Sequence, residues 1–244
     1  MSHENEADDP RRRLLIQALS AGLFSAGIPA ANAQIFNIFG SRPARLPPGQ
    51  SIYRISGSAT VNDKPATLQT KVQPGDTVKT GKDSELVFVV NTNAMILRGG
   101  SNVIIESEKK ADSLIVSGLR MLTGALLSVS RNTAMRVRSP TATVGIRGTG
   151  FYIEAQEDQT YFCTCYGATE VASNNDPESR ENIVAKQHDR PVYIVNDGGK
   201  GKNIRNAPFI NHTDLELALI ETLVGRTPPF VFPNESYTAP RRNY

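Results

Sequence analysis

Two cysteines and two histidines are the residues of this chain best suited to chemistry. Cys163 and Cys165 are the only cysteines in the sequence, and His188 and His212 follow them. Two thiolates and two imidazoles form a ligand set that suits zinc, copper or iron rather than calcium or magnesium. The sequence therefore predicts one transition-metal site made by these four side chains, with zinc as the first candidate and iron or copper next.

The spacing of the two cysteines determines how they can act. Residues i and i+2 of a β-strand face the same side, which would place both sulfur atoms together and turn Phe162, Thr164 and Tyr166 to the other side. Their Cα atoms would be about 6.5–7 Å apart, at or beyond the usual range of a disulfide. The sulfur atoms can still reach the separation that a tetrahedral metal requires, and coordination would protect the thiolates in an oxidising compartment.

The two histidines lie in short turn segments. His188 is in a rigid turn that precedes a predicted strand, and His212 comes just before the predicted start of a helix. The positive end of the helix dipole disfavours a protonated imidazole there, and the neutral ring is the form that binds metal. Asp189 and Asp214 are candidate acceptors that would orient a ligand ring. The alternative is a reduced or disulfide-bonded cysteine pair with two ordinary surface histidines, because the spacing matches no standard zinc finger.

The first 33 residues have the pattern of an export signal. Arg11-Arg12-Arg13 precedes a short apolar run, and Ala31-Asn32-Ala33 has small residues where cleavage requires them. The apolar run is too short and too rich in Ala, Gly and Ser to span a bilayer stably. The sequence therefore predicts a signal peptide at residues 1–33 and a periplasmic location. The arginine pair favours twin-arginine export, while Pro10 in front of it leaves general secretion open.

Charge and hydropathy exclude two classes of partner. The formal net charge of the 244-residue chain is only +3, and its basic residues form no long run, so nucleic acid is not an expected partner. After the leader, no apolar stretch reaches the roughly 18 residues that a membrane helix needs. The mature protein is therefore expected to have no membrane span.

The rest of the pattern predicts a mainly β fold. From Ser51 onward, short alternating apolar runs such as residues 85–90, 114–116, 125–129 and 135–138 are separated by turn residues. Thr213 and Glu216 form a capping box, which predicts one helix at about residues 214–224. The predicted organisation is a linker at 34–50, a β domain at 51–174 and a C-terminal extension at 175–244.

Several motifs in this span resemble the FecR domain family, a periplasmic module known from iron-citrate signalling in Gram-negative bacteria. The resemblance covers roughly residues 75–172 and rests on residues 140–151, on the segments around Gly81 and Gly124, and on Cys165-Tyr166-Gly167. It implies an all-β sandwich or roll of meandering hairpins. The best-known signalling members also carry a membrane helix and a cytoplasmic anti-sigma segment. Neither is expected in this chain, which argues against direct transcriptional signalling.

The glycine-rich part of the family motif has a structural interpretation. Residues 145–150 lack the Gly-Lys-Ser/Thr ending of a phosphate loop and lead into a strand rather than a helix. We therefore interpret Gly145, Arg147, Gly148 and Thr149 as a structural motif that serves a tight turn or a close approach of strands.

These observations favour a binding or scaffolding protein of the cell envelope, with an envelope protein or a glycan as its partner. An enzyme is less favoured, because neither a Gly-x-Ser-x-Gly nor a His-Glu-x-x-His motif occurs. A thiol or metal redox protein remains an alternative, although the usual Cys-x-x-Cys motif is missing. The other alternative is a metal-free envelope interaction module or regulator.

Export gives the first testable prediction. Mass spectrometry of the exported protein should find Gln34 at the mature N-terminus, because cleavage is expected after Ala33. Retention of residues 1–33 would contradict the signal peptide. Replacing both Arg11 and Arg12 by Lys should block export if the twin-arginine route is used. Unchanged export of that variant would leave general secretion as the route.

Overall fold

The computed structural model describes residues 44–227 and residue 229, without the side chains of residues 131–133. The predicted signal peptide at 1–33 and most of the predicted linker at 34–50 lie outside the described residues. The strands are β1 (Ile52–Ser56), β2 (Ala59–Val61), β3 (Lys64–Pro65), β4 (Thr77–Thr80), β5 (Glu85–Val90), β6 (Asn93–Leu97), β7 (Asn102–Lys110), β8 (Ser113–Arg138), β9 (Ala142–Ala155), β10 (Gln159–Ser173), β11 (Arg180–Ala185), β12 (Val192–Val195) and β13 (Ile204–Asn206), and the helix is α1 (Asp214–Leu223). The predicted mainly β fold with one C-terminal helix is thus confirmed.

All thirteen strands belong to one sheet with the order β13-β12-β10-β9-β8-β7-β4-β2-β3 along its main path. Every pair is antiparallel, as short hairpin connections require. β8 also pairs with β6, which continues through β5 to β1. β10 uses one edge for two partners, β12 at residues 159–162 and β11 at residues 167–172. The three long strands β8, β9 and β10 therefore hold the whole sheet together.

The two faces of the sheet support two separate cores. The main core contains side chains from both ends of the strand path, such as Val61 and Ile194, so the sheet curves round it. The second core lies on the opposite face, where residues such as Leu127 and Tyr152 pack against α1. Alternation along the strands produces this division, because successive side chains point to opposite faces.

The helix forms for the reasons that its sequence predicts. The Thr213 side chain accepts a hydrogen bond from the backbone of Glu216, and the Glu216 side chain accepts one from the backbone of Thr213, so the predicted capping box is present. Leu219 and Ile220 are buried, and Gly225 follows the helix with φ at +71°. No helix in the described part of the chain is long and apolar enough to cross a membrane.

Two stretches of the sheet differ from or extend the expected pattern. Residues 114–116, 125–129 and 135–138 are not separate strands but parts of the 26-residue β8. The C-terminal extension also contains strands, and two of them, β11 and β12, join β10 in the same sheet. The domain boundary at residue 174 stays a prediction.

Packing of α1 on the sheet gives a stability prediction. Leu219 is 2% exposed, so Leu219→Asp would bury an unpaired charge and should lower the free energy of unfolding by roughly 2–4 kcal/mol. Urea denaturation measures this change. Leu114→Asp is the matched control, because Leu114 is 53% exposed and its replacement should change stability by less than about 0.5 kcal/mol. Equal stability of the two variants would show that α1 does not pack as described.

Candidate metal centre

Strand β10 carries the two cysteines into the second core. Phe162 points into the main core, while Cys163 and Cys165 point into the second core. Both thiols are completely buried and neither is in a disulfide. The predicted placement of the two sulfur atoms on one face is therefore observed.

Tyr166 corrects the simple alternation expected for this strand. Thr164 pairs with Phe151 and Tyr166 pairs with Gly150, so Cys165 between them has no partner on β9. Such a bulge places two consecutive residues on one face, and Tyr166 therefore joins the cysteines instead of facing away from them. A Cβ atom on Gly150 would lie 2.4 Å from the Tyr166 ring, so only glycine fits there. The Tyr166 hydroxyl donates a hydrogen bond to Glu221 of α1.

His188 reaches the cysteines from the turn between β11 and β12. Its backbone N–H donates a hydrogen bond to the Cys165 carbonyl oxygen at 2.9 Å, which fixes the turn against the bulge. Its Nδ1 atom lies 3.5 Å from the Cys163 sulfur. Asp189 shapes this turn by accepting hydrogen bonds from the backbone N–H groups of Lys186 and Gln187 rather than from a histidine ring.

His212 completes the cluster from the segment just before α1. Its Nδ1 donates a hydrogen bond to the Ile210 carbonyl oxygen at 2.6 Å, and its Nε2 lies 3.2 Å from Nδ1 of His188. One potential ligand atom from each of Cys163, Cys165, His188 and His212 lies within 4.8 Å of all the others. The alternative with two ordinary surface histidines is wrong, because His188 is 6% and His212 is 1% exposed.

Hydrogen bonds on the far side of each ring determine which nitrogen can bind a metal. Oδ1 of Asp214 lies 2.7 Å from Nε2 of His188, and a carboxylate there requires that nitrogen to carry the proton. The Ile210 carbonyl imposes a proton on Nδ1 of His212 in the same way. In the neutral rings, the nitrogen lone pairs therefore point toward the cysteines. Of the two predicted acceptors, Asp214 is the one that contacts a ring.

Burial and mutual contact determine the protonation of the cluster. Burial alone would raise the pKa of Cys163, but hydrogen bonds with Cys165, His188 and His212 outweigh it and hold that pKa well below its ordinary value. Burial, together with the hydrogen bond and charge of Cys163, raises the pKa of Cys165 well above its usual range. The pair thus releases one proton readily and the second with difficulty. For His188, burial opposes protonation, but Asp214 and Cys163 outweigh it and raise its pKa.

Two aromatic rings that have no signal in the sequence pattern enclose the histidines. Tyr152 stacks on His212 with ring centroids 4.4 Å apart, and Phe209 lies 4.2 Å from His188. Tyr152 is the partner of Cys163 across the β9–β10 ladder, so strand register would have identified it. Side-chain spacing within one strand does not contain that information.

The family motif lies beside the cluster and takes no part in it. Gly148 has φ at +62° and interrupts the pairing of β9 with both neighbours, as expected for a structural glycine. Thr149 is buried, whereas Arg147 is exposed. A Cβ atom on Gly145 would make only ordinary contacts. The motif runs through β9 without a following helix, so it has no phosphate-loop geometry.

Comparison with known proteins identifies one part of the chain. Residues 76–170 match the family described as FecR protein. No curated protein sequence is significantly similar to the chain. Two crystal structures of a candidate anti-sigma factor from Parabacteroides distasonis are similar, with 15% and 16% identity and a TM-score of 0.43 each. In both cases the alignment covers 60% of this chain, and it covers 73% and 74% of the other chain. The match with the FecR family thus includes both cysteines, while both histidines follow the matched residues in the chain.

Proposed function

We propose that this protein is a FecR-domain binding and scaffolding protein of the cell envelope, held together by a transition metal. Cys163, Cys165, His188 and His212 would bind the ion, with zinc as the first choice and iron or copper as alternatives. The ion would fasten the segment that follows the FecR domain onto the sheet. A periplasmic location rests on the export pattern of residues 1–33, and a partner protein or glycan rests on the family.

The convergence of four ligand atoms is the observation that carries the proposal. A tetrahedral ion with bonds of about 2.05 Å to nitrogen and about 2.3 Å to sulfur has N–N edges of about 3.4 Å and N–S edges of about 3.6 Å. The two ring nitrogens lie 3.2 Å apart, and the Cys163 sulfur lies 3.5 Å from Nδ1 of His188. Both separations are within a few tenths of an ångström of those edges. Two edges of a four-coordinate site are therefore nearly formed, and the ligand atoms all lie within 4.8 Å of one another.

Burial of the ligands favours a structural role over catalysis. Catalytic zinc sites use three protein ligands and keep one position for water or substrate, whereas structural sites use four. Here four protein ligands are available, and all four are buried. The same burial argues against a thiol oxidoreductase, because a protein substrate must reach an exposed thiolate. A metal-free regulator is the function that remains if no ion is bound.

The positions of the ligands along the chain explain what the ion would contribute. Two ligands lie on β10 and the other two come from separate later segments, so the ion closes two long loops. A metal cross-link of this kind restricts the conformations that the unfolded chain can adopt. The free energy of metal binding also adds to the free energy of folding.

Metal content tests the proposal directly. Elemental analysis of the exported, purified protein should find one zinc ion, or one iron or copper ion, for each chain. Cys163→Ser and His212→Ala should each reduce bound metal to background and lower the melting temperature, because three ligands bind far more weakly than four. Lys186→Ala is the control, since this exposed residue lies in the same turn as His188. No stoichiometric metal in the native protein, or unchanged metal in both ligand variants, would contradict the site.

Asp214 provides a finer test of the same centre. Asp214→Asn should weaken metal affinity by about 10–100-fold, because the carboxylate orients His188 and increases the basicity of its ring. Competition with a chromophoric chelator measures the affinity, and stoichiometry at saturating metal should stay at one. Asp197→Asn is the control, because that side chain is 82% exposed and pairs with Arg205. Equal affinity of the Asp214 and Asp197 variants would show that Asp214 does not support the ligand.

A further inference from the structure

One part of the outer face of the sheet is not covered by α1. The last residues of β8, the first of β9, the last of β10 and all of β11 pair side by side. Their inward side chains, such as Val144 and Ile183, belong to the main core, so the alternate residues point outward. We name this surface the arginine face and define it by Arg136, Arg138, Arg147, Glu170, Arg180 and Val184. None of these residues belongs to the second core beneath α1.

The arginine face is more basic than the chain as a whole. It presents four arginines and one glutamate, whereas the whole sequence has 27 basic and 24 acidic residues. Arg138 pairs with Glu106 at the border of the face, and Arg180 pairs with Glu170. Arg136 and Arg147 are exposed, and neither has an ion-pair partner among the residues that the structure describes. Within the described part of the chain, these two guanidinium groups are therefore free to bind external anions.

Cross-strand register places the two free arginines close together. Arg147 pairs with Ala134 of β8, and Arg136 lies two residues further along the same strand. Diagonal neighbours of this kind have Cα atoms about 7–8 Å apart, within reach of long side chains. Two neighbouring carboxylates on one partner can therefore bind both groups, because a guanidinium group matches a carboxylate with two parallel hydrogen bonds.

An apolar patch adjoins the free arginines. Arg147 pairs with Ala168, which pairs with Val184 of β11, so the three residues form a row across the sheet. Val184 is 77% exposed, the largest exposure among the large hydrophobic residues described. Two strand spacings separate Arg147 from Val184, a distance of about 10 Å. Arginine is enriched in protein interfaces, and Val184 beside it offers an apolar contact.

A groove continues this surface toward the metal centre. Its volume is about 530 Å³, and Gly148, Gly167 and Lys186 are among its lining residues. These three residues follow Arg147, precede Ala168 and follow Ala185 in the chain, so the groove starts where the arginine face ends. Lys186 is exposed and adds a third positive charge at this end.

We infer that the arginine face binds an acidic segment of another protein, in which carboxylate side chains alternate with aliphatic ones. The carboxylates bind Arg136 and Arg147, and an aliphatic side chain packs on Ala168 and Val184. A protein segment fits better than a sulfated glycan or an anionic lipid headgroup, because those ligands offer no aliphatic group at this spacing. The inference rests on the proposed binding role in the envelope and does not require the metal.

A labelled peptide tests the inference. The probe is a ten-residue peptide that alternates Glu with Leu and Ala, and fluorescence anisotropy measures its affinity for the full mature chain. Arg136→Glu combined with Arg147→Glu should weaken binding at least tenfold, and Val184→Asp should weaken it at least threefold. Lys109→Glu combined with Lys110→Glu makes the same change in net charge at the tip of the β7–β8 hairpin and should leave binding unchanged. A peptide with Lys in place of Glu should not bind.

Four results would overturn the inference. The first is that the acidic peptide does not bind at about 1 mM protein, and the second is that the variant with both lysines replaced binds the peptide as weakly as the variant with both arginines replaced. The third is that the variants of the arginine face bind the peptide as tightly as the unchanged protein. The fourth is that the protein binds heparin or anionic vesicles in preference to the peptide. Metal content is measured on the same samples, because the substitutions replace none of the four ligands. Peptide binding without metal contradicts the metal proposal alone, and bound metal without peptide binding contradicts this inference alone.

Discussion

The division of one edge of β10 between two strands is the constraint on which the site depends. β12 pairs with residues 159–162 and β11 with residues 167–172, so residues 163–166 have no strand beside them on that edge. The connection from β11 to β12 must pass this gap, and it brings His188 there. The hydrogen bond from the His188 backbone to the Cys165 carbonyl satisfies a group that the gap would otherwise leave unpaired in a buried position.

The helix that delivers His212 is held by more than the candidate metal centre. Arg98, directly after β6, forms ion pairs with Glu85 and with Glu216 of α1 and is only 12% exposed. Glu221 is fully buried and bonds to both Tyr166 and Arg226. Removing one partner from such a buried pair costs about 3–5 kcal/mol. These ion pairs and hydrogen bonds therefore hold both ends of α1 against the rest of the structure. The metal would add a third attachment, at the segment that precedes α1.

Capping patterns and the alternation of side chains along a strand predicted correctly the features that depend only on residues close together in the chain. The capping box at Thr213 and Glu216 is such a feature, and so is the common orientation of Cys163 and Cys165. Tyr166 was placed wrongly because a bulge depends on the partner strand, here through the close approach of its ring to Gly150. β8 was predicted as three separate strands, whereas the irregularities in its pairing with β7, at Ser117 and Leu122, do not interrupt the strand. Arg98 gave no sequence signal, because its partners are distant in the chain.

Binding of a divalent ion would leave the net charge of this cluster unchanged. Without metal, the lowered pKa of Cys163 favours a thiolate, and the raised pKa of His188 favours a protonated ring beside it. A divalent ion would replace the proton on His188 and the proton on Cys165. Two thiolates, two neutral rings and one divalent ion are together neutral, as are the thiolate and protonated ring of the metal-free cluster, so metal binding adds no buried net charge. The remaining charge, on Asp214, lies in the first turn of α1, where the helix dipole stabilises it.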